Sequence, residues 1–169
     1  MAVTGRRTLL LMRHAKSDYP DGVADHDRPL APRGIRQAGL AGDWLRAGAP
    51  AIDAVLCSTA TRTRETLRNT RIEAPVRYSE RLYASTPGIV IDEINTVGDD
   101  VSTLLVIGHE PTMSALALGL GGGSGANPAA AERISNKFPT SAIAVLAVPC
   151  RWTELELGAA TLTDFVVAR

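Results

Sequence analysis

Three short apolar runs, at residues 8–12, 52–57 and 104–107, each stop abruptly at polar, chemically capable residues. The first ends with Met12 and gives way to Arg13-His14. The second ends with Cys57 and gives way to Ser58-Thr59. The third ends with Ile107 and gives way to Gly108-His109-Glu110-Pro111. Continuous apolar runs of this length suit strands buried on both faces, as in a parallel sheet. Helical patterns separate them. Pro32 opens one, since its missing N–H costs nothing in a first turn. Ile35, Ala38, Ala41, Trp44 and Leu45 give that helix its apolar spacing, and Gly48 with Pro50 ends it. A second helix is expected over about residues 60–71, with only Ala60 and Leu67 clearly apolar. A third is expected over 87–97, carried by Ile89, Val90, Ile91 and Ile94, and a fourth through Met113, Leu116, Ala117 and Leu120. Residues 76–78 suit a short strand, and residues 142–148 and 152–157 read as two strands joined at Pro149-Cys150. Residues 119–127 read as a glycine-rich loop. The alternation predicts one three-layer α/β/α domain over residues 1–169, with a mostly parallel central sheet.

In such sheets, sites form outside the carboxyl ends of the strands. Three strand ends would bring Arg13, His14, Arg62 and His109 to one place. The chain has three histidines, and two of them lie at these ends. Guanidinium forks match phosphate oxygens and stay charged at any working pH. Histidine can serve as a neutral nucleophile in one environment and a cationic stabiliser in another. Helix N-termini after the second and third runs would add N–H donors toward an anion. The pattern points to in-line phosphoryl transfer governed by positioning and charge stabilisation.

Composition narrows the alternatives. With 169 residues, 45% hydrophobic and 21% charged, and a formal net charge of zero, the chain can bury a core and carries no basic footprint for nucleic acid. No apolar run reaches the length of a signal core or membrane span, and two cysteines are too few for a disulfide framework. A cytoplasmic protein with no membrane partner is expected. Asp25-His26-Asp27 lies in a polar loop, where three adjacent residues do not readily converge on one ion, so no metal is assigned and His26 is read as solvated. Cys57 and Arg62 are separated by four residues, one short of a cysteine-phosphatase loop. The glycine run at 119–125 lacks the lysine of a nucleotide loop. Arg64, Arg68 and Arg71 are read as solvent-facing, and Ser58 or Thr59 as a helix cap.

The stretches "LLMRHAKS" (10–17), "DRPLAPRGIRQA" (27–38), "CSTATRTRETL" (57–67), "VIGHEP" (106–111) and "FPTSAIAVL" (138–146), with the following Trp152, resemble the histidine phosphatase, or phosphoglycerate-mutase-like, superfamily. Within it they are most similar to the small SixA-type phosphohistidine phosphatases. The resemblance implies the phosphoglycerate-mutase-like fold and a nucleophilic His14 that becomes phosphorylated. It further implies that Arg13 and Arg62 clamp the phosphoryl oxygens, His109 completes the pocket, and no metal or other cofactor takes part. For the proton on the leaving group it points to Glu80 in "SERLY", with Glu110 as competitor. The SixA branch more often has Asn at the position of Glu110, which leaves the choice open. Lys16 and Ser17 would line the pocket mouth. The implied substrate is a phosphohistidine protein. A small phosphate ester, a phosphomutase reaction, or non-catalytic phosphate binding are the alternatives.

Overall fold

The computed structural model describes residues 6–122 and 127–169. Of the glycine-rich loop expected at 119–127, residues 123–126 lie outside the described residues. Strands β1 (Arg7–Arg13), β2 (Ala54–Ser58), β3 (Val76–Ser79), β4 (Thr103–Gly108), β5 (Ile143–Val148) and β6 (Thr161–Val166) form a single sheet in the order β3-β2-β4-β1-β5-β6. The pairs β3-β2, β2-β4 and β4-β1 are parallel; β5 runs antiparallel to both neighbours. Five helices cover the sheet: α1 (Pro32–Gly48), α2 (Thr61–Thr70), α3 (Pro87–Ile94), α4 (Thr112–Leu120) and α5 (Pro128–Asn136).

The period-two alternation of strand side chains divides the apolar runs between two cores. Leu9, Leu11, Leu104 and Val106 pack with α3, α4 and α5. Leu10, Met12, Leu105 and Ile107 pack on the opposite face with Ala41 and Leu45 of α1 and Leu67 of α2. Both faces of each run are therefore covered, which explains why these runs are continuous rather than alternating.

Several elements differ from expectation. Residues 152–157 are not a strand. Trp152–Glu154 forms a 3-10 turn in which the Trp152 indole is fully buried and donates to the Val101 carbonyl at 2.7 Å. The last strand is β6, whose Thr163 and Asp164 are exposed and whose pairing with β5 shifts register between Val145 and Leu146. Helix α5 had no counterpart in the apolar pattern because it buries only Ala130 and Ile134. Helix α1 buries Ala38, Ala41 and Leu45 as expected, but the buried face also takes in Gly34, Gln37 and Gly42, while Ile35 is 47% exposed. Close backbone approach widens the face in this way. A Cβ on Gly34 would stand 2.0 Å from the Lys16 carbonyl oxygen, and one on Gly42 would stand 2.1 Å from that of Thr70. The first contact presses α1 against the loop that follows β1. Helix α2 buries Thr63, Thr66 and Thr70, whose hydroxyls donate to backbone carbonyls and so bring no unpaired donor into the core.

Candidate functional site

Strands β2, β4 and β1 are neighbours in the sheet, with Cys57 opposite Ile107 and Arg13 opposite Gly108. Their carboxyl ends accordingly deliver Ser58, His109 and Arg13-His14 to one cluster, and the first turn of α2 adds Arg62. The start of β5 closes the cluster from the other side. Ser141 N donates to the carbonyls of Arg13 and His14 at 3.2 and 3.1 Å, and Arg13 Nη1 donates to Phe138 O at 2.9 Å. The His14 and His109 rings lie 5.3 Å apart, and His14, Arg62 and His109 are 7%, 6% and 8% exposed.

Burial governs the protonation of this cluster. Desolvation pushes the His14 pKa down to about 3; His109, Arg62 and Arg13 lower it further, and its own hydrogen bond opposes the fall. The same desolvation, with Arg62 adding to it, brings His109 down to about 4. Burial also lowers Arg13, from so high a starting value that the guanidinium remains a cation. Both rings are neutral at pH 7, and each therefore carries a single proton.

The hydrogen bonds bear on where that proton sits. His14 Nδ1 is 2.7 Å from the Ala15 carbonyl oxygen. A carbonyl only accepts, so Nδ1 carries the proton and Nε2 keeps a free lone pair. His109 Nε2 lies 2.8 Å from Ser58 Oγ, which also accepts from Ala60 N at 3.3 Å. A hydroxyl oxygen can accept twice, so this contact fits either His109 tautomer; where Ser58 gives its hydrogen to Nε2, Nδ1 is the ring's donor. Among the described residues, His109 Nδ1, Arg13 Nε and Arg62 Nε are buried without a hydrogen-bond partner. With His109 protonated at Nδ1, these are three N–H donors with no protein acceptor, and beside the free lone pair of His14 they suit a tetrahedral oxyanion.

The four residues singled out from the sequence are thus together. Glu110 is next to them but committed locally: its carboxylate accepts from Ser114 N at 2.7 Å and so caps α4. That N–H is consequently spent on the protein, contrary to the expectation of a donor aimed at an anion. Glu80 is exposed, and its carboxylate has no hydrogen bond or ion pair among the described residues. Lys16 Nζ lies 5.6 Å from the centre of the Tyr19 ring, which is 67% exposed. Ser17 is buried, and its hydroxyl accepts from Arg28 Nη1 at 2.9 Å. Arg64 and Arg68 are exposed, and Arg71 ends α2 in a left-handed conformation on the surface. Ser58 spends its hydroxyl chiefly on His109, as described, and Thr59 Oγ1 meets His26 Nε2 at 2.9 Å. Among the described residues, no group of three or more His, Cys, Asp or Glu side chains is arranged to hold a metal ion.

Three participants were passed over in the sequence. Arg62 donates to Asp25 twice, Nη1 to the carbonyl at 2.7 Å and Nη2 to the carboxylate at 3.1 Å. The Tyr83 hydroxyl also donates to the Asp25 carboxylate. These donors, Tyr83 first, hold the Asp25 carboxyl well below its ordinary range. His26, read as solvated, instead packs edge-on against Tyr83 at 4.8 Å, and Tyr83 stands 5.5 Å from His109. The loop before α1 therefore forms one wall of the site. The signal available was the Asp25-His26 pair itself, set aside because adjacent residues do not chelate an ion. Pairing with a distant arginine needs no such convergence.

The two histidines give the fold a calculable pH dependence. Unfolding returns both to about 6.5. Between pH 4 and 6.5 the unfolded chain then binds more protons than the folded one, so stability rises with pH across that window. Lowering the pH from 7 to 5 should reduce the unfolding free energy by roughly 2 to 4 kcal/mol. Urea titrations at the two pH values test this, and equal midpoints would contradict the buried neutral pair. Asp25 does not oppose the trend. Its lowered carboxyl contributes stability that is lost only as pH falls below the ordinary aspartate value near 3.9.

Comparison with known proteins supplies the family and the fold. Residues 9–85 match the family described as the histidine phosphatase superfamily (branch 1). An uncharacterized protein of Mycobacterium tuberculosis strain H37Rv is 68% identical over 158 residues, covering 94% of this chain and 100% of the relative. A solved structure named as a candidate phosphohistidine phosphatase SixA from Nakamurella multipartitia is 41% identical. It superposes with a TM-score of 0.87 over 96% of each chain. A second structure so named, from Agrobacterium tumefaciens, is 26% identical with a TM-score of 0.78, over 95% of this chain and 97% of that one.

Proposed function

Since this chain belongs to the histidine phosphatase superfamily, we propose that it is a phosphohistidine phosphatase acting through a phosphorylated His14. The observation that carries this reading is the buried, neutral His14 with Nδ1 committed to Ala15 O and Nε2 free, beside two arginines and a second neutral histidine. In the first step the Nε2 lone pair attacks phosphorus, and the bond from phosphorus to the leaving imidazole nitrogen of the substrate breaks. In the second step a water oxygen attacks the same phosphorus, the Nε2 bond breaks, and inorganic phosphate leaves. Arg13, Arg62 and His109 hold the equatorial oxygens through both steps, where charge is spread over all three.

The choice of a phosphohistidine over an ester rests on the carboxylates. An alkoxide leaving group needs a proton delivered to its oxygen as the bond breaks, whereas a phosphohistidine ring protonated on its other nitrogen, as it can be near neutral pH, leaves as neutral imidazole with no acid from the enzyme. Asp25 holds no proton to give, Glu110 is bound to Ser114 N, and Glu80 is exposed with no partner. The exposed rim around Tyr19 and residues 20–24 leaves room for a protein surface to approach. Two free cysteines, Cys57 and Cys150, fit a reducing cytoplasm.

Turnover of a phosphohistidine peptide should exceed that of an alkyl phosphate by at least about 100-fold in kcat/KM, the range that general acid catalysis supplies when an acid is present. Equal or faster turnover of the alkyl phosphate would assign the site to small phosphate esters. Exchange of label between two phosphate esters without release of phosphate would indicate a mutase. Phosphate binding with no turnover would mark a binding domain.

A further inference from the structure

The tautomer of His14 depends on a carbonyl, and that carbonyl is held from both sides. Ala15 is fully buried. Its N–H, in the peptide plane joining residues 14 and 15, donates to Thr66 Oγ1 at 2.9 Å. The Thr66 hydroxyl passes its own hydrogen to the Arg62 carbonyl at 2.7 Å. The next peptide plane contains the Ala15 carbonyl together with Lys16 N–H, which are rigidly opposed because the peptide is planar. Lys16 N donates to Gln37 Oε1 at 3.0 Å, and the same oxygen accepts from Thr140 Oγ1 at 2.9 Å. Gln37 is 5% exposed and Thr66 fully buried. Neither plane can rotate without breaking one of these hydrogen bonds and leaving an N–H without a partner, which is strongly disfavoured away from water.

We propose that Thr66 and Gln37 are positioning residues for the reacting histidine. Between them they fix both peptide planes around Ala15, and the carbonyl so held keeps His14 with Nδ1 protonated and Nε2 free. Thr66 has a second effect. Through one hydroxyl it ties the loop bearing His14 to the turn of α2 bearing Arg62, so that nucleophile and clamp keep a common register. Without this lock the Ala15 carbonyl turns away, the proton on His14 distributes between the two ring nitrogens, and part of the population presents no lone pair at Nε2. This inference rests on the assignment of His14 as the group that is phosphorylated, but its first readout does not.

That first readout is the tautomer of His14, observed by nitrogen-15 NMR of the imidazole at pH 7. Wild type should show a single form protonated at Nδ1. Thr66→Val, which keeps shape but loses the hydroxyl, and Gln37→Met should each show a mixture. Thr66→Ser, which keeps the hydroxyl, should restore the single form. The second readout is turnover of a phosphohistidine peptide. The valine and methionine variants should lose about tenfold to a hundredfold in kcat, the scale of a small misplacement at a reacting centre, with KM little changed. The serine variant should recover most of it. Circular dichroism and thermal melts identify the folded variants on which both readouts are made. A single Nδ1-protonated form in folded Thr66→Val and Gln37→Met would overturn the proposal. Equal loss in Thr66→Ser and Thr66→Val would do so too, because it would trace the effect to packing. Wild type with the single tautomer but no turnover of any donor would instead sink the phosphatase reading and leave the lock standing.

Discussion

Replacing His14 with alanine should lower kcat on a phosphohistidine peptide by about 10⁴- to 10⁶-fold, the scale seen when a covalent nucleophile is removed and only the binding groups remain. No neighbouring side chain can take over. His109 has its Nε2 committed to the Ser58 hydroxyl. Cys57 is buried in β2, and desolvation pushes its thiol up to about 12, so it supplies no thiolate at neutral pH. Ser58 is spent on His109. The fold should survive, because the His14 side chain makes one hydrogen bond, to the residue next to it. It should also lose part of its sensitivity to acid, since one of the two histidines that resist protonation is gone. Stopped assays on purified wild type and variant check the rate. Retention of even a tenth of wild-type turnover would place the nucleophile elsewhere.

Loss of Arg62 should be nearly as severe and have a different signature. Removing a single preorganised donor from a site that stabilises developing charge costs roughly 10²- to 10³-fold. Here the loss should appear in both kcat and KM, because Arg62 meets the phosphoryl oxygens before and during the reaction. Arg62→Lys should recover little. The guanidinium holds Asp25 along one side while keeping Nε free, and a lysine ammonium cannot reproduce that fork. Arg62→Ala also leaves the Asp25 carboxylate with Arg28 as its remaining cationic partner, so that it is less neutralised at the mouth and repels the incoming phosphate. Adding Asp25→Asn to Arg62→Ala should therefore restore part of the loss, whereas the two changes would simply add if Asp25 were a bystander. Steady-state kinetics on the two single variants and the double variant give the answer.

The parts of this structure that were legible in the sequence share one property: their pattern reports burial on both sides. The runs ending at Met12, Cys57 and Ile107 are short, end abruptly at polar residues and are covered on both faces, as central strands of a parallel sheet are. Because all three lie in the middle of the sheet, their polar ends had to converge. Elements at the margins were harder to read. Strand β6 is an edge strand with exposed Thr163 and Asp164 and a register shift beside it, so its alternation is broken. Trp152 opens the segment 152–157 that reads as a strand, although its burial serves a turn. The breadth of the buried face of α1 depends on backbone approaching backbone at Gly34 and Gly42, and an apolar count weights glycine as nothing.

The same division holds within the site. Arg13, His14, Arg62 and His109 stand at strand ends or one turn beyond, so sheet topology alone assembles them. Asp25, Tyr83, Thr66 and Gln37 reach them from a loop, a turn and two helices. They do so through hydrogen bonds between residues 37 to 58 positions apart, or, for Gln37 and Lys16, 21 apart. No local spacing encodes such pairs. Only the packed fold shows that α2, which carries Arg62, also carries, one turn later, the hydroxyl that meets the loop bearing His14.

The most direct test of the account is the position of the phosphate during turnover. Wild-type protein would be quenched in alkali while hydrolysing a labelled phosphohistidine peptide, digested, and its phosphopeptides resolved by mass spectrometry and phosphorus-31 NMR. Phosphate is expected on His14, bonded at Nε2, because Nδ1 is occupied by its hydrogen bond to Ala15. Phosphate at Nδ1 of His14, on His109 or on any other residue, or hydrolysis with no phosphoenzyme formed, would contradict it.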